Sequence, residues 1–267
     1  MRVSWRASTL RSRQRLVRVS NMSVLLLSLS GPLQSWGDSS RFTVRNTGRE
    51  PSKSGVLGLA ASALGRSREA SLGDLCSLEF GVRIDQPGEM IRDFQTEHLA
   101  RGGDSLPLSN RYYLADAKFL VALGGDSALI AEIERALLHP KWPLFLGRRS
   151  CPPDTPLLYH AKRGPYDDIR VALKTEPWIA SEWYRNRLGA RRNSDYPDLE
   201  IACDARDGEK GEIHTDIPLS FGAIRRYGQR SVVREWINNP SAPEDDSQDL
   251  DVQLSAALQG HNPMEFI

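Results

Sequence analysis

Lys53-Ser-Gly-Val-Leu-Gly-Leu-Ala-Ala-Ser-Ala-Leu-Gly65 is the stretch from which the fold is read. Ser54 is an N-cap candidate, Val56, Leu57, Leu59, Ala60, Ala63 and Leu64 recur at helical spacing, and Gly65 stands where a helix end needs positive φ. Small residues at Gly55, Gly58, Ala60, Ala61, Ser62 and Ala63 predict a helix lying close against a sheet. The nearest candidate strand is Val24-Leu-Leu-Leu-Ser-Leu-Ser30, so residues 31–52 form a long connection, which is uncommon in a compact domain unless it has a function. That connection holds Gly31-Pro-Leu-Gln-Ser-Trp-Gly37 and a basic run with Arg45, Arg49 and Lys53. Cations just upstream of free helix amides predict an anion site, and the leading anion is a nucleic-acid phosphate.

Outward from the helix, residues 71–80 read as a short helical turn and 81–85 as a strand. Gln86-Pro-Gly88 then turns and 89–98 returns, a hairpin whose polar tip, 99–110, projects from the body. Residues 111–123 follow as one strand, and Asp126 or Ser127 caps a helix carrying Leu129, Ile130, Ile133, Ala136 and Leu137. The order approaches the ferredoxin-like βαββαβ pattern, whose sheet RNA-recognition modules use. Residues 141–237 read as a β-rich subdomain with strands at 157–160, 169–173, 199–205, 211–217 and 231–237. The expected class is therefore α+β: a ferredoxin-like domain over 22–140, the β-rich part over 141–237, and an acidic tail over 238–267 in which 250–258 makes a turn or two of helix.

Charge is segregated along the 267 residues although the net value is only +1. Residues 1–21 hold six arginines and no acid, whereas 238–267 hold six acids and no Lys or Arg. The basic start with Val24 to Leu29 imitates a signal peptide, but the apolar run is short and no small-residue cleavage pattern follows, so Met22 is the expected start of the fold. No run reaches the ~18 apolar residues of a membrane span. Cys76, Cys151 and Cys203 form no Cys-x-x-Cys pair, which points to a reducing cytoplasm and no structural zinc.

Gly48-Arg-Glu-Pro-Ser-Lys53-Ser54 imitates a phosphate loop, but Ser52 stands where the glycine before the lysine belongs. Lys53 and Ser54 remain candidates for a phosphate, beside the plainer reading of an exposed lysine before a helix. Leu146-Gly-Arg-Arg-Ser-Cys-Pro-Pro153 offers Arg148 and Arg149 for bidentate phosphate recognition or, alternatively, for surface ion pairs. Arg111, Tyr112 and Tyr113 combine a cation with rings that either stack on bases or pack inside, and the same choice applies to Trp36. Arg185, Arg187, Arg191 and Arg192 beside Trp183 and Tyr184, and Arg225, Arg226, Arg230 and Arg234, are further basic groups. His98, His139, His160, His214 and His261 are scattered without metal-ligand spacing, and no nucleophile elbow occurs. No catalytic set, metal or cofactor is expected. The alternative is a metal-independent ribonuclease built on His98 with Tyr112, Tyr113 and Lys118.

Taken together, Leu27-Ser-Leu-Ser-Gly-Pro-Leu-Gln-Ser-Trp-Gly37, Ser52-Lys-Ser-Gly-Val-Leu-Gly-Leu59 and Leu146-Gly-Arg-Arg-Ser-Cys-Pro152 resemble the Cas-five family of CRISPR systems in its type I-E form, over 22–237. The resemblance implies a RAMP-type, ferredoxin-like domain with a projecting thumb at about 93–116. It implies a non-catalytic Cascade subunit that grips the 5′ handle of CRISPR RNA and caps the backbone filament for antiviral defence. The implied partners are the backbone subunit (CasC), the large PAM-reading subunit (CasA) and target DNA near the PAM end, with sequence read by guide pairing. The implied grip falls on Gly31, Gln34, Trp36, Arg45, Lys53, Ser54, Arg148, Arg149 and Ser150, to which residue chemistry adds Arg111 and Tyr112. In the type I-C branch the same subunit cuts repeat RNA, but here Arg92-Asp-Phe-Gln-Thr96 holds no histidine. Residues 1–21 and the acidic tail depart from the family pattern.

Overall fold

A computed structural model describes residues 22–37, 44–96, 108–189 and 196–243. One antiparallel sheet of six strands runs in the order β1 (Met22–Ser30), β7 (Lys118–Asp126), β4 (Glu79–Gln86), β8 (Leu199–Asp204), β10 (Arg226–Ile237), β9 (Glu212–Ser220). Residues 157–159 lie along the outer side of β1, through Ser28 N to Leu157 O at 2.8 Å and Tyr159 N to Leu26 O at 2.9 Å. The β-rich second part is thus no separate sheet, because β8 pairs directly with β4.

β1 and β7 read as continuous apolar runs because both sheet faces are covered. Leu25, Leu27 and Leu29 join Phe119, Val121 and Leu123 beneath α1 (Lys53–Ala63) and α3 (Ser127–Leu138). Leu26, Leu120 and Ala122 face the other way, onto Ile169, Ala172 and Leu173 of α4 (Ile169–Thr175). The strand expected over 169–173 is thus a helix. The Asp168 carboxylate accepts from Arg170 N at 2.7 Å, an N-cap that alternation alone does not reveal.

α1 begins earlier than its pattern predicts: Ser52 is the N-cap, its hydroxyl accepting from Gly55 N at 3.2 Å, and Ser54 lies in the first turn. Its end is as expected, with Gly65 at φ +73 closing a Schellman motif through Gly65 N to Ser62 O and Arg66 N to Ala61 O. The short turn α2 (Gly73–Cys76) follows.

The second sheet holds the site. β6 (Ser109–Ala115) is its spine, with β2 (Leu33–Gln34) and β3 (Val44–Arg45) along one edge and β5 (Glu89–Gln95) along the other. The expected hairpin between 81–85 and 89–98 is therefore corrected: β4 and β5 belong to different sheets, and β5 pairs with β6. The single strand expected over 111–123 is likewise two, because Asp116 at φ +55 breaks it and turns the chain from one sheet into the other. The hairpin tip at 97–107, His98 included, lies outside the described residues, as do 1–21, 38–43, 190–195 and 244–267. Among the described residues no helix is long and apolar enough to cross a membrane.

Candidate nucleic-acid interface

The Gly31 to Gly37 connection is fastened inward. Gln34 is fully buried, its Nε2 donating to Leu29 O at 3.1 Å and Ala117 O at 2.8 Å, while its Oε1 accepts from Trp36 Nε1 at 3.0 Å. Trp36 is 1% exposed and lies against Gly55 of α1, where an added Cβ would stand 2.8 Å from the ring. Its ring therefore offers no face to a base, which corrects the stacking expectation. Trp36 N donates to Thr47 Oγ1 at 2.8 Å and Gly48 N donates to Trp36 O at 2.6 Å, so the tryptophan positions the segment that carries Arg45. Gly31 is buried too, and a Cβ there would meet Pro152 O at 2.8 Å.

The loop after Leu146 is built on that floor. Ser35 N donates to Leu146 O at 3.1 Å, Leu146 N to Cys151 O at 2.7 Å, and Cys151 N to Arg148 O at 2.9 Å. Gly147 has φ +85, and a Cβ on it would stand 1.8 Å from Ser35 O, so only glycine lets the two segments touch. Arg148 turns down: its guanidinium donates to Tyr112 O at 3.2 Å, Arg45 O at 2.8 Å and Asn46 O at 3.3 Å, and lies 4.8 Å from the Tyr113 ring centroid. It is thus a clamp between β6 and β3. Arg149 and Ser150 stay exposed, and Ser150 Oγ lies 3.4 Å from the Tyr113 hydroxyl.

Strand alternation divides the Arg111, Tyr112, Tyr113 triplet. Arg111 pairs with exposed Arg45 across the parallel register and shares its face with Tyr113, whereas Tyr112 points to the opposite face, across from Arg92. The expected joint use of Arg111 and Tyr112 is corrected accordingly. Asp93, opposite Arg111 on β5, tempers the charge. What converges on one side of β6 is Arg45, Arg111 and Arg148, with exposed Arg149 next to Arg148 in the loop, a basic strip drawn from three distant segments.

Lys53 and Ser54 do not join it. Lys53 is 4% exposed, with Nζ 2.8 Å from Asp204 Oδ2, and its backbone N donates to Asp216 Oδ2 at 2.7 Å. Arg230 closes the network, 2.6 Å from Asp216 and 2.8 Å from Asp204. Burial pushes the Asp216 carboxyl up, but the Arg230 bonds and charge and the Lys53 N–H outweigh it and hold it below the usual range. The anion expected at the α1 N-terminus is therefore an internal carboxylate, beside a polar pocket of about 460 Å³ lined in part by Cys76, Glu79 and Arg206. An acid at an inward position of β9 is the one sequence signal of it, and alternation there is too irregular to single out Asp216.

The remaining basic groups divide. Arg234 pairs with Glu50 and Glu200 at 2.7 and 2.9 Å, tying β10 to the approach to α1. Arg225 and Arg226 are exposed. Arg185 and Arg187 lie on α5 (Glu182–Arg187), while Arg191 and Arg192 fall outside the described residues. Of the ribonuclease candidates, Tyr113 is 4% exposed beneath Arg148. Among the described residues no three His, Cys, Asp or Glu side chains gather as a metal ion would require.

A family model described as CRISPR-associated protein (Cas_Cas5) matches residues 24–233. "CRISPR system Cascade subunit CasD" of Escherichia coli (strain K12) is 39% identical over 176 residues, which is 58% of this chain and 78% of that protein. A solved structure described as "Crystal structure of Cas protein" is 36% identical with a TM-score of 0.63, over 83% of this chain and 98% of the other. A chain from "CRISPR RNA-guided surveillance complex" is 31% identical with a TM-score of 0.65, over 85% and 97%.

Proposed function

The chain belongs to the CRISPR-associated (Cas_Cas5) family, and from that membership we propose that it is a non-catalytic subunit of a type I-E Cascade, holding the 5′ handle of CRISPR RNA and capping the backbone filament. The observation that carries this reading is the convergence of Arg45, Arg111 and Arg148 on one face of β6, with exposed Arg149 next to Arg148, drawn from three segments far apart in sequence. Arg148 is the clamp and the other three supply phosphate contacts, over a floor shaped by Gly31, Gln34 and Trp36. A ferredoxin-like N-terminal part is supported by the neighbours of β1: 157–159 on one side, then β7 and β4 on the other, with α1 and α3 on one face. The relative named a Cascade subunit and the surveillance-complex neighbour support membership of such a complex, and the partners we infer there are CasC, CasA and target DNA near the PAM end, in the cytoplasm.

The test is binding of end-labelled handle RNA across a salt titration in EDTA, with products resolved on gels. Arg45→Ala with Arg149→Ala should weaken binding and flatten the slope of log affinity against log salt by about 0.7 for each phosphate that the variant leaves unneutralised. Unchanged affinity and slope would remove the basic strip from the interface. Specific cleavage would favour the ribonuclease alternative.

A further inference from the structure

Two features stand apart from the basic strip: the surface of α5 and the acidic segment 244–267. α5 leaves Trp183 48% exposed, with the Arg187 guanidinium 5.2 Å from its ring centroid and 5.3 Å from that of Tyr184. Arg185 and Arg187 are exposed and have no carboxylate partner among the described residues. Glu182 is the one acid on the helix. Tyr184 packs edge-on against Trp178, in a small cluster with Ala180 and Leu199.

The last described stretch of chain ends on that same cluster. Trp178 N donates to Ser241 Oγ at 2.9 Å, Asn239 Nδ2 donates to Pro197 O at 3.4 Å, and an Arg163 guanidinium N–H donates to Pro240 O at 3.3 Å. The chain therefore leaves the body beside α5. From Glu244 to Ile267 it carries six acids and no Lys or Arg, with Leu250, Leu254 and Leu258 spaced four apart. Its charge complements α5 and its leucines match the exposed ring of Trp183. A short tether also gives millimolar effective concentration, so weak attraction suffices.

We propose that residues 244–267 dock on the α5 surface of their own chain, with carboxylates on Arg185 and Arg187 and leucines on Trp183. The docked segment screens this basic-aromatic surface from other anions, nucleic acid included. The proposal does not depend on the RNA reading of the basic strip.

Hydrogen-exchange mass spectrometry tests it on the full chain, on a chain ending at Pro243, and on a full-length variant with the six acids of 244–267 changed to Asn or Gln. The amides of 182–188 should exchange several-fold faster in both altered chains than in the full chain, while β7 stays equally protected in all three. Arg185→Glu with Arg187→Glu in the full chain should give 244–267 the exchange it has in the six-acid variant. Equal exchange at 182–188 in all three chains would overturn the proposal. So would protection that arises only on adding single-stranded RNA, to the shortened chain as much as to the full one, since α5 would then be a nucleic-acid surface.

Discussion

Replacing Arg83 with methionine tests what fastens α4 and the residues after it to the six-stranded sheet. Arg83 and Asp85 are both fully buried, 2.7 Å apart, and the Arg83 guanidinium also donates to the carbonyls of Leu173, Glu176 and Pro177 at 2.6, 2.6 and 2.8 Å. Arg83→Met keeps most of the volume but leaves a buried carboxylate without its cation, a loss of about 3–5 kcal/mol. Three orphaned carbonyls add about 1 kcal/mol each. The sum is a large share of the roughly 5–15 kcal/mol that holds a domain together. Adding Asp85→Leu removes the stranded charge but not the orphaned carbonyls, and it leaves the Ile179 N–H without its acceptor, so the double variant should recover about 2–4 kcal/mol of the loss.

Burial already pushes the Asp85 carboxyl up despite the Arg83 charge, and removing the arginine pushes it further. Above the unfolded pKa and below the raised folded one, the folded variant binds more protons than the unfolded chain, so its stability rises as pH falls. Urea unfolding followed by circular dichroism at pH 7 and pH 5 should show Arg83→Met gaining at the lower pH and the double variant gaining little. A double variant no more stable than the single one would refute the charge argument and leave the carbonyl bonds as the whole effect.

Gly147→Ala should weaken both thermal stability and handle-RNA binding, because its Cβ would enter Ser35 O. Gly208→Ala shares the positive φ at +86 but has nothing within 4 Å, so melting curves should show only the strain of about 1–2 kcal/mol. Asp216→Asn should flatten the acid limb of a melting-temperature profile. The lowered carboxyl contributes stability above its unfolded value, and that stability is lost as pH falls through the folded value, below about 4. Ser52→Ala should destabilise α1 by about 1 kcal/mol in chemical denaturation, whereas Ser54→Ala should cost much less, since Ser52 is the cap.

Local patterns report themselves well in this sequence. The apolar stripe of α1 and the positive φ of Gly65 follow from spacing and residue type alone, and so does the start of α3 to within one residue, the structure choosing Asp126 over Ser127 as its cap. The Gly31, Arg45 and Gly147 segments are also legible as candidates, because glycine and arginine in a long connection signal close approach and anion binding. Their division of labour is not. Whether Trp36 faces a base or Gly55, and whether Lys53 meets a phosphate or Asp204, is decided by a partner nineteen residues away in the first case and more than a hundred in the second. The helix α4 escapes the sequence pattern for a related reason: Ile169, Ala172 and Leu173 fit either period over so short a run, and only the Asp168 cap decides between them.

β6 is hydrogen-bonded along both edges, to β2 and β3 on one side and to β5 on the other. Descent with modification must therefore treat its seven residues as a fixed ruler. One residue inserted between Asn110 and Arg111 would exchange the faces of Arg111 and Tyr112 and carry Tyr113 from beneath Arg148, disabling the clamp and the register of both edges at once. Length variation among relatives should thus collect at the ends of this strand and be absent within it.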